Sequence, residues 1–385
     1  MQTTAIIRVT LALGTVLGLG RMASAQDQVT PPMPAPAEPK VQLAILLDTS
    51  SSMDGLIEQA KTQLWKVVNT FIFARQNGQM PHVEVALYEY GNDGLAAATH
   101  WIRRLQPLTR DLDKISEELF RLKTNGGQEY CGAVIRQTVA DLAWDRDPNT
   151  YKAIFIAGNE PFTQGPVDPL EACKEAATKG IVVNTIHCGS EAAGISGKWR
   201  DGALAADGSF LIIDSNQAVV HLEAPQDAAI VKLNAQLNQT YLAYGKRAAE
   251  AASNQVAQDA NSSSRADSGA AVQRVVSKAS KNYFNSSWDL VDARKEKDFD
   301  INQVPVADLP ENMRAMDEAA RLAHIDAKAK ERADLQQQIL DLNRQRDAFV
   351  AEKRRDESKP GADTLDSAMT KTVRSQAATK GYKFE

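Results

Sequence analysis

Asp48, Ser50 and Ser52 stand at alternate positions directly after an apolar run that ends at Leu47. One carboxylate and two hydroxyls form a hard-oxygen donor set. Magnesium and manganese prefer such a set, with water filling the remaining positions. The same residue types have a second use. Ser and Asp just ahead of a helix cap it by accepting its free N–H groups. A cap needs one such residue, whereas this stretch holds Asp48, Ser50, Ser51, Ser52 and Asp54. On these residues alone a cation site and a helix cap both remain open.

The elements around the stretch decide where it sits. Val41–Leu47 is apolar except for Gln42, which suits a strand buried on both faces. Ligands of open α/β sheets bind beyond the carboxyl ends of the strands, and Asp48 falls there. The helix expected from near Asp54 would add backbone N–H groups that hold the turn. Leu56–Ala74 has helical apolar spacing, Val83–Tyr90 reads as a strand and Trp101–Leu105 as a short one. Asp111–Leu122 and Glu129–Trp144 read as amphipathic helices. Ala153–Ala157 reads as a buried strand, Pro169–Lys179 as a helix closed by Gly180, and Ile181–Ile186 and Phe210–Ile213 as the last strands. Strands alternating with helices imply an α/β domain with a mostly parallel sheet, over residues 41–223.

Beyond residue 224 the strand signals stop, and an α-helical C-terminal region is expected. Asp227–Ala251 reads as one helix, 252–270 as a loose connection, and Ala271–Asn282 as a further helix. Trp288-Asp289-Leu290-Val291 is a compact apolar spot expected to dock. Prolines at 305 and 310 break the chain, so 224–310 is a helical region with loose connections. Residues 311–385 comprise a long helix, Glu311–Asp356, and a tail. Leu335, Leu342 and Phe349 recur every seven residues with Ile339 between them, which suits either a self-associating coiled coil or a helix packed back on the first domain. The terminal Gly-Tyr-Lys-Phe-Glu carries two aromatics that could dock as a peg.

The chain has 385 residues, 43% hydrophobic and 24% charged, as expected of globular domains. Its net charge of −5 lacks the basic footprint of a nucleic-acid binder, so no nucleic-acid partner is expected. Residues 1–25 read as a secretory signal peptide, with Arg8, the core LALGTVLGLG and Ala23-Ser24-Ala25 as cleavage site. No later segment is apolar enough to span a membrane, so a periplasmic or secreted protein is expected. Residues 26–40 form a Pro/Ala-rich linker. Export permits disulfides, and three cysteines allow one pair at most. A Cys173–Cys188 bridge is one reading and simple packing the other. His187, at a strand end, is expected to be a satisfied polar residue rather than a rim contact.

The sequence lacks a G-x-x-x-x-G-K-[ST] loop, a G-x-G-x-x-G turn after a strand and a G-x-S-x-G elbow. An aspartyl-nucleophile phosphatase is the remaining enzyme reading, but such enzymes need a second Asp two positions on, where Ser50 stands. The chain is therefore not expected to be an enzyme.

Asp48-x-Ser50-x-Ser52, after a buried strand and ahead of the alternating elements, resembles the D-x-S-x-S motif of von Willebrand factor type A (VWA) domains of the bacterial exported type. The resemblance covers about residues 41–223. It implies a Rossmann-like fold with a metal-ion-dependent adhesion site (MIDAS) on the upper sheet edge, binding Mg2+ or Mn2+. It also implies a protein partner that completes the cation's shell with an acidic side chain. The family's second ligand, usually Thr, falls nearest Glu129 in the loop 124–132, since Thr124 comes too early, and Tyr130 would shape the rim. The third, usually Asp, falls on Asn159. The alternative is a metal-independent assembly scaffold carrying a degenerate copy of the site.

Overall fold

The structure is a computed structural model that describes residues 38–53, 65–213, 222–264, 269–357 and 365–384. The expected signal peptide, most of the linker, and residues 54–64 at the start of the expected helix lie outside the described residues.

The apolar run that opens the fold becomes β1 (Lys40–Asp48). Its odd-numbered residues Val41, Leu43 and Leu47 enter one core and Ala44 and Leu46 another, so both faces are covered. The strand is flanked in parallel by β3 (His82–Tyr90) and β5 (Tyr151–Gly158). With β4 (Ile102–Thr109), β6 (Ile181–Cys188) and β7 (Phe210–Ile213), the sheet order is β4-β3-β1-β5-β6-β7. Only β4 runs antiparallel to its neighbour. β4 extends past the expected 101–105. Its half-buried, Pro-containing sequence shows no clean apolar run. The order reverses around β1, so the carboxyl ends of β1 and β5 flank the crevice where open α/β sheets take ligands.

One face of the sheet is covered by helix α1, described over 65–70, by α2 (Leu112–Arg121), and by the chain's last helix α12 (Leu365–Ala378). α3 (Cys131–Asp141), α4 (Pro169–Thr178) and α6 (Trp199–Leu204) cover the other. The short α5 (Glu191–Ser196) precedes α6. The cysteine bridge does not form: all three cysteines are free and buried. Cys173 lies in the core on one sheet face and Cys188 in the core on the other, so the sheet itself separates them.

The C-terminal region departs from three expectations, the first being that the long helix begins at Glu318 and not at Glu311, where a short 3-10 turn stands. The helix at Asp227 stops at Asn238 (α7), and Gly245, with φ +85°, lies in the turn that follows. The stretch expected to be loose is instead the helix α8 (Ala248–Ser263). Its buried face is polar: Gln255 donates to Tyr283 Oη (3.1 Å), and Gln258 accepts from Ser116 on α2 (2.9 Å). α9 (Ala270–Lys278) adds buried Arg274, which pairs with Asp113 of α2 (2.8 Å) and Asp259 of α8 (2.6 Å). Buried Lys278 also reaches Asp259 (2.8 Å). α10 (Leu290–Ala293) is capped by Asp289, whose carboxylate also takes Arg332 of α11 (Glu318–Glu357) at 2.6 Å. Leu335 and Ile339 of α11 pack against Ile230 and Leu237 of α7 and Val275 of α9. That apolar stripe is therefore used within the chain. The aromatic tail docks as a peg: Tyr382 is buried and donates to Lys40 O (2.8 Å). Lys383–Phe384 (β8) pairs with Ala74–Arg75 (β2). Among the described residues no helix is long and apolar enough to cross a membrane.

Candidate functional site

β1 delivers Asp48 to the sheet's upper edge with 0% exposure. Its Oδ1 accepts the Ser50 N–H (2.8 Å), which folds the turn, while its buried Oδ2 has no hydrogen-bond partner. A buried carboxylate oxygen without a donor is costly, and a cation is one way to satisfy it. Ser50 Oγ lies 2.9 Å from Ser52 Oγ, and Ser52 Oγ donates to Asn159 Oδ1 (3.1 Å), just past the end of β5. Thr49, on the other side of the turn, donates its N–H to Tyr90 O (2.8 Å) and accepts from Asn125 N (3.0 Å). The turn is thereby tied to β3 and to the loop that carries Glu129.

Two glycines let these groups meet. At Gly91, just after β3, a side-chain carbon would fall 2.7 Å from Asp48 Oδ1 and 2.8 Å from Glu129 Cγ, and φ there is +78°. At Gly158 it would fall 2.7 Å from Tyr90 Oη and 3.3 Å from Asp48 Oδ2. Glu129 is 6% exposed, and its N–H donates to Gln164 Oε1 (2.5 Å). Asp48, Ser50, Ser52, Glu129 and Asn159 thus gather at one place on the sheet edge. Thr124 stays half-buried earlier in its loop. Tyr130 meets Trp101 edge-on (5.4 Å) and His100 (6.0 Å).

The carboxyls are electrostatically unsettled. Burial, above all, pushes Asp48 up to about 7; the Ser50 hydrogen bonds pull it down and the charge of Glu160 adds to the rise. Glu129 rises to about 8, first through burial, then through the charges of Asp48 and Glu160. Among the described residues no group of three or more His, Cys, Asp and Glu side chains is placed to hold a metal, so a cation here would rely on hydroxyl and amide oxygens as well.

Sequence reasoning passed over Gly91, Gly158 and Tyr90, whose roles come from contacts between separate strands. His187 corrects an expectation. It is 3% exposed, pairs in register with Gly158, and packs against Trp199 (5.7 Å), yet neither ring nitrogen has a hydrogen-bond partner. Burial accordingly holds its basicity down. Trp199 packs on its ring and Gly194 lets Phe210 close in beside it, so apolar groups meet a ring whose nitrogens have no partner.

The sheet order, the covering helices and the Asp-x-Ser-x-Ser turn at the switch point define a Rossmann-like α/β domain followed by a helical region. Residues 42–194 match the profile of the von Willebrand factor type A domain, and the chain carries that domain. Solved structures similar to it include proximal thread matrix protein 1 from the mussel byssus, at 12% identity over 46% of this chain and 42% of that one, TM-score 0.35. BatB from Bacteroides thetaiotaomicron is 17% identical over 45% and 90%, TM-score 0.35. The SpRpn10 VWA domain is 16% identical over 47% and 91%, TM-score 0.36. The chain thus spans less than half of the mussel protein. A comparison with curated proteins gave no match.

Proposed function

We propose that this chain is an exported, periplasmic or secreted protein that holds Mg2+ or Mn2+ at Asp48, Ser50, Ser52, Glu129 and Asn159 and engages a protein partner there. The observation that carries the reading is Asp48 Oδ2, buried with no donor of its own at the edge where open α/β sheets take ligands. Glu129 supplies a second negative charge, offsetting the neutral Asn159 where an acid would be stronger. Ser50 and Ser52 already face one another and Asn159, so the donors are preorganised. When bound, the cation supplies an open coordination position that a partner's carboxylate can fill. The turn, the Gly91 contact and the Thr49 bonds fix the chain's donors so that selectivity falls on the partner. The domain acts by binding, without a catalytic step.

Calorimetry with magnesium and manganese tests the reading. Wild type should give heat and a metal-induced rise in Tm, and Asp48→Ala should give neither. Asn159→Asp adds a charge to the donor set and should tighten binding roughly tenfold. A wild type without heat or a Tm gain leaves the metal-independent scaffold in place. Turnover of a generic phosphate ester, lost in Asp48→Asn, would instead establish the phosphatase.

A further inference from the structure

A groove of about 760 Å³ opens at the sheet edge opposite Asp48, where β5 and β6 begin and α3 and α4 end. Its floor includes Leu142, Trp144 and Pro148, and the Trp144 indole N–H is fixed on Thr138 O (3.1 Å). Four cations converge on it: Arg146, Lys152, Lys179 and Lys380, the last carried in by the C-terminal segment. The acid in the lining, Asp145, gives its carboxylate to Lys40 outside (2.8 Å), and nearby Asp147 accepts from Asn149.

We propose that this groove binds a small organic anion, a carboxylate or phosphate carried on an apolar body. Two helix carboxyl ends meet here, and their carbonyls would by themselves repel an anion. Lysines answer that charge: Lys179 Nζ donates to Val139 O (3.2 Å), and Lys152 Nζ to Lys179 O (2.8 Å) and Asp145 O (3.0 Å). Those bonds take two of the three donors on Lys152, which is only 6% exposed, so its ammonium is held in place with one N–H to spare. Arg146 and Lys380 cap no carbonyl and have no carboxylate within ion-pair distance among the described residues. They are surplus to capping the helices. Asp145 and Asp147 offset part of this charge, yet burial and the like charge of Lys380 still leave the basicity of Lys152 lowered, so the cations are incompletely neutralised. An anion seated among them relieves that repulsion while its body covers the floor at Trp144.

The test uses the full chain and three calorimetric probes of one shape: 1-naphthoate, 1-naphthyl phosphate and neutral 1-naphthamide. At least one anion should bind, and at least about tenfold more tightly than the amide. Whichever of the two binds better names the headgroup class. The affinity should be the same in chelator and in magnesium, which separates this groove from the Asp48 site. It should fall about tenfold in Lys380→Glu, a half-buried position whose change should leave the melting curve intact. Three results each overturn the proposal: no binding by either anion, equal binding by the amide, or unchanged affinity in a folded Lys380→Glu.

Discussion

Asp48 and Glu129 each hold a proton more tightly in the fold than in the open chain, since burial raises both, to about 7 and about 8. The sign follows from linkage. Their contribution to stability is fully present below the ordinary carboxylate range and is lost as pH rises through 7 and 8. The metal-free protein should therefore lose Tm between about pH 5 and pH 8.5, where the unpaired carboxylates ionise in place. Asp48→Asn should flatten that decline, and divalent cation should restore Tm most at the alkaline end. A melting series in chelator that is level or rises across this range would show that neither carboxyl is held protonated. At this scale the sequence was partly readable. Asp48, Ser50 and Ser52 are spelled out because one turn follows one buried strand. Glu129 and Asn159 came only through family resemblance, since they sit some 80 and 110 residues along the chain from Asp48. Gly158 and the unsatisfied His187 were not readable, because each is defined by what another strand or helix presses against it.

The parallel strands announced themselves because burial on both faces demands unbroken apolar runs such as Tyr151–Gly158, every residue of which is buried. α8 was hidden for the opposite reason. It buries Gln255, Gln258 and Ser262, so its inner face reads as a polar linker. Those side chains flank the Arg274 network that joins the helical region to α2 of the sheet domain. In it, burial alone would raise Asp259, but Arg274 and Lys278 draw it down to about 2. Lys278 is lowered to about 8, by burial first and by Arg274 second. Removing one partner leaves a buried charge unpaired, so Arg274→Ala should cost about 3–5 kcal/mol in urea unfolding. Asp113→Ala in the same background should add much less than it does alone, because the two share one interaction. Additive losses would mean that the network does not couple the two regions.

Sequence alone drew the sheet domain as residues 41–223, but the structure closes its core with the chain's far end. Met369, Val373 and Ala377 of α12, and Tyr382 beyond it, share one core with Val41, Tyr151, Ile186 and Leu211. Gln376 accepts from Tyr151 Oη (2.7 Å) and exchanges hydrogen bonds with Asn184 in the sheet, so polar groups as well as apolar ones meet there. Local periodicity cannot report such a closure, because the two partners lie more than about 150 residues apart and neither is complete alone. A chain ending at residue 223 would uncover the part of one sheet face that α12 covers and also lose Tyr283 from the same core. It should then lose cooperative thermal unfolding, bind a hydrophobic dye and keep most of its far-ultraviolet signal. A peptide of residues 365–385 added in excess should recover part of the transition, as a ligand that binds only the folded form must. If the shortened chain melts cooperatively within a few degrees of the full one, the last helix is an accessory to the sheet rather than a wall of its core.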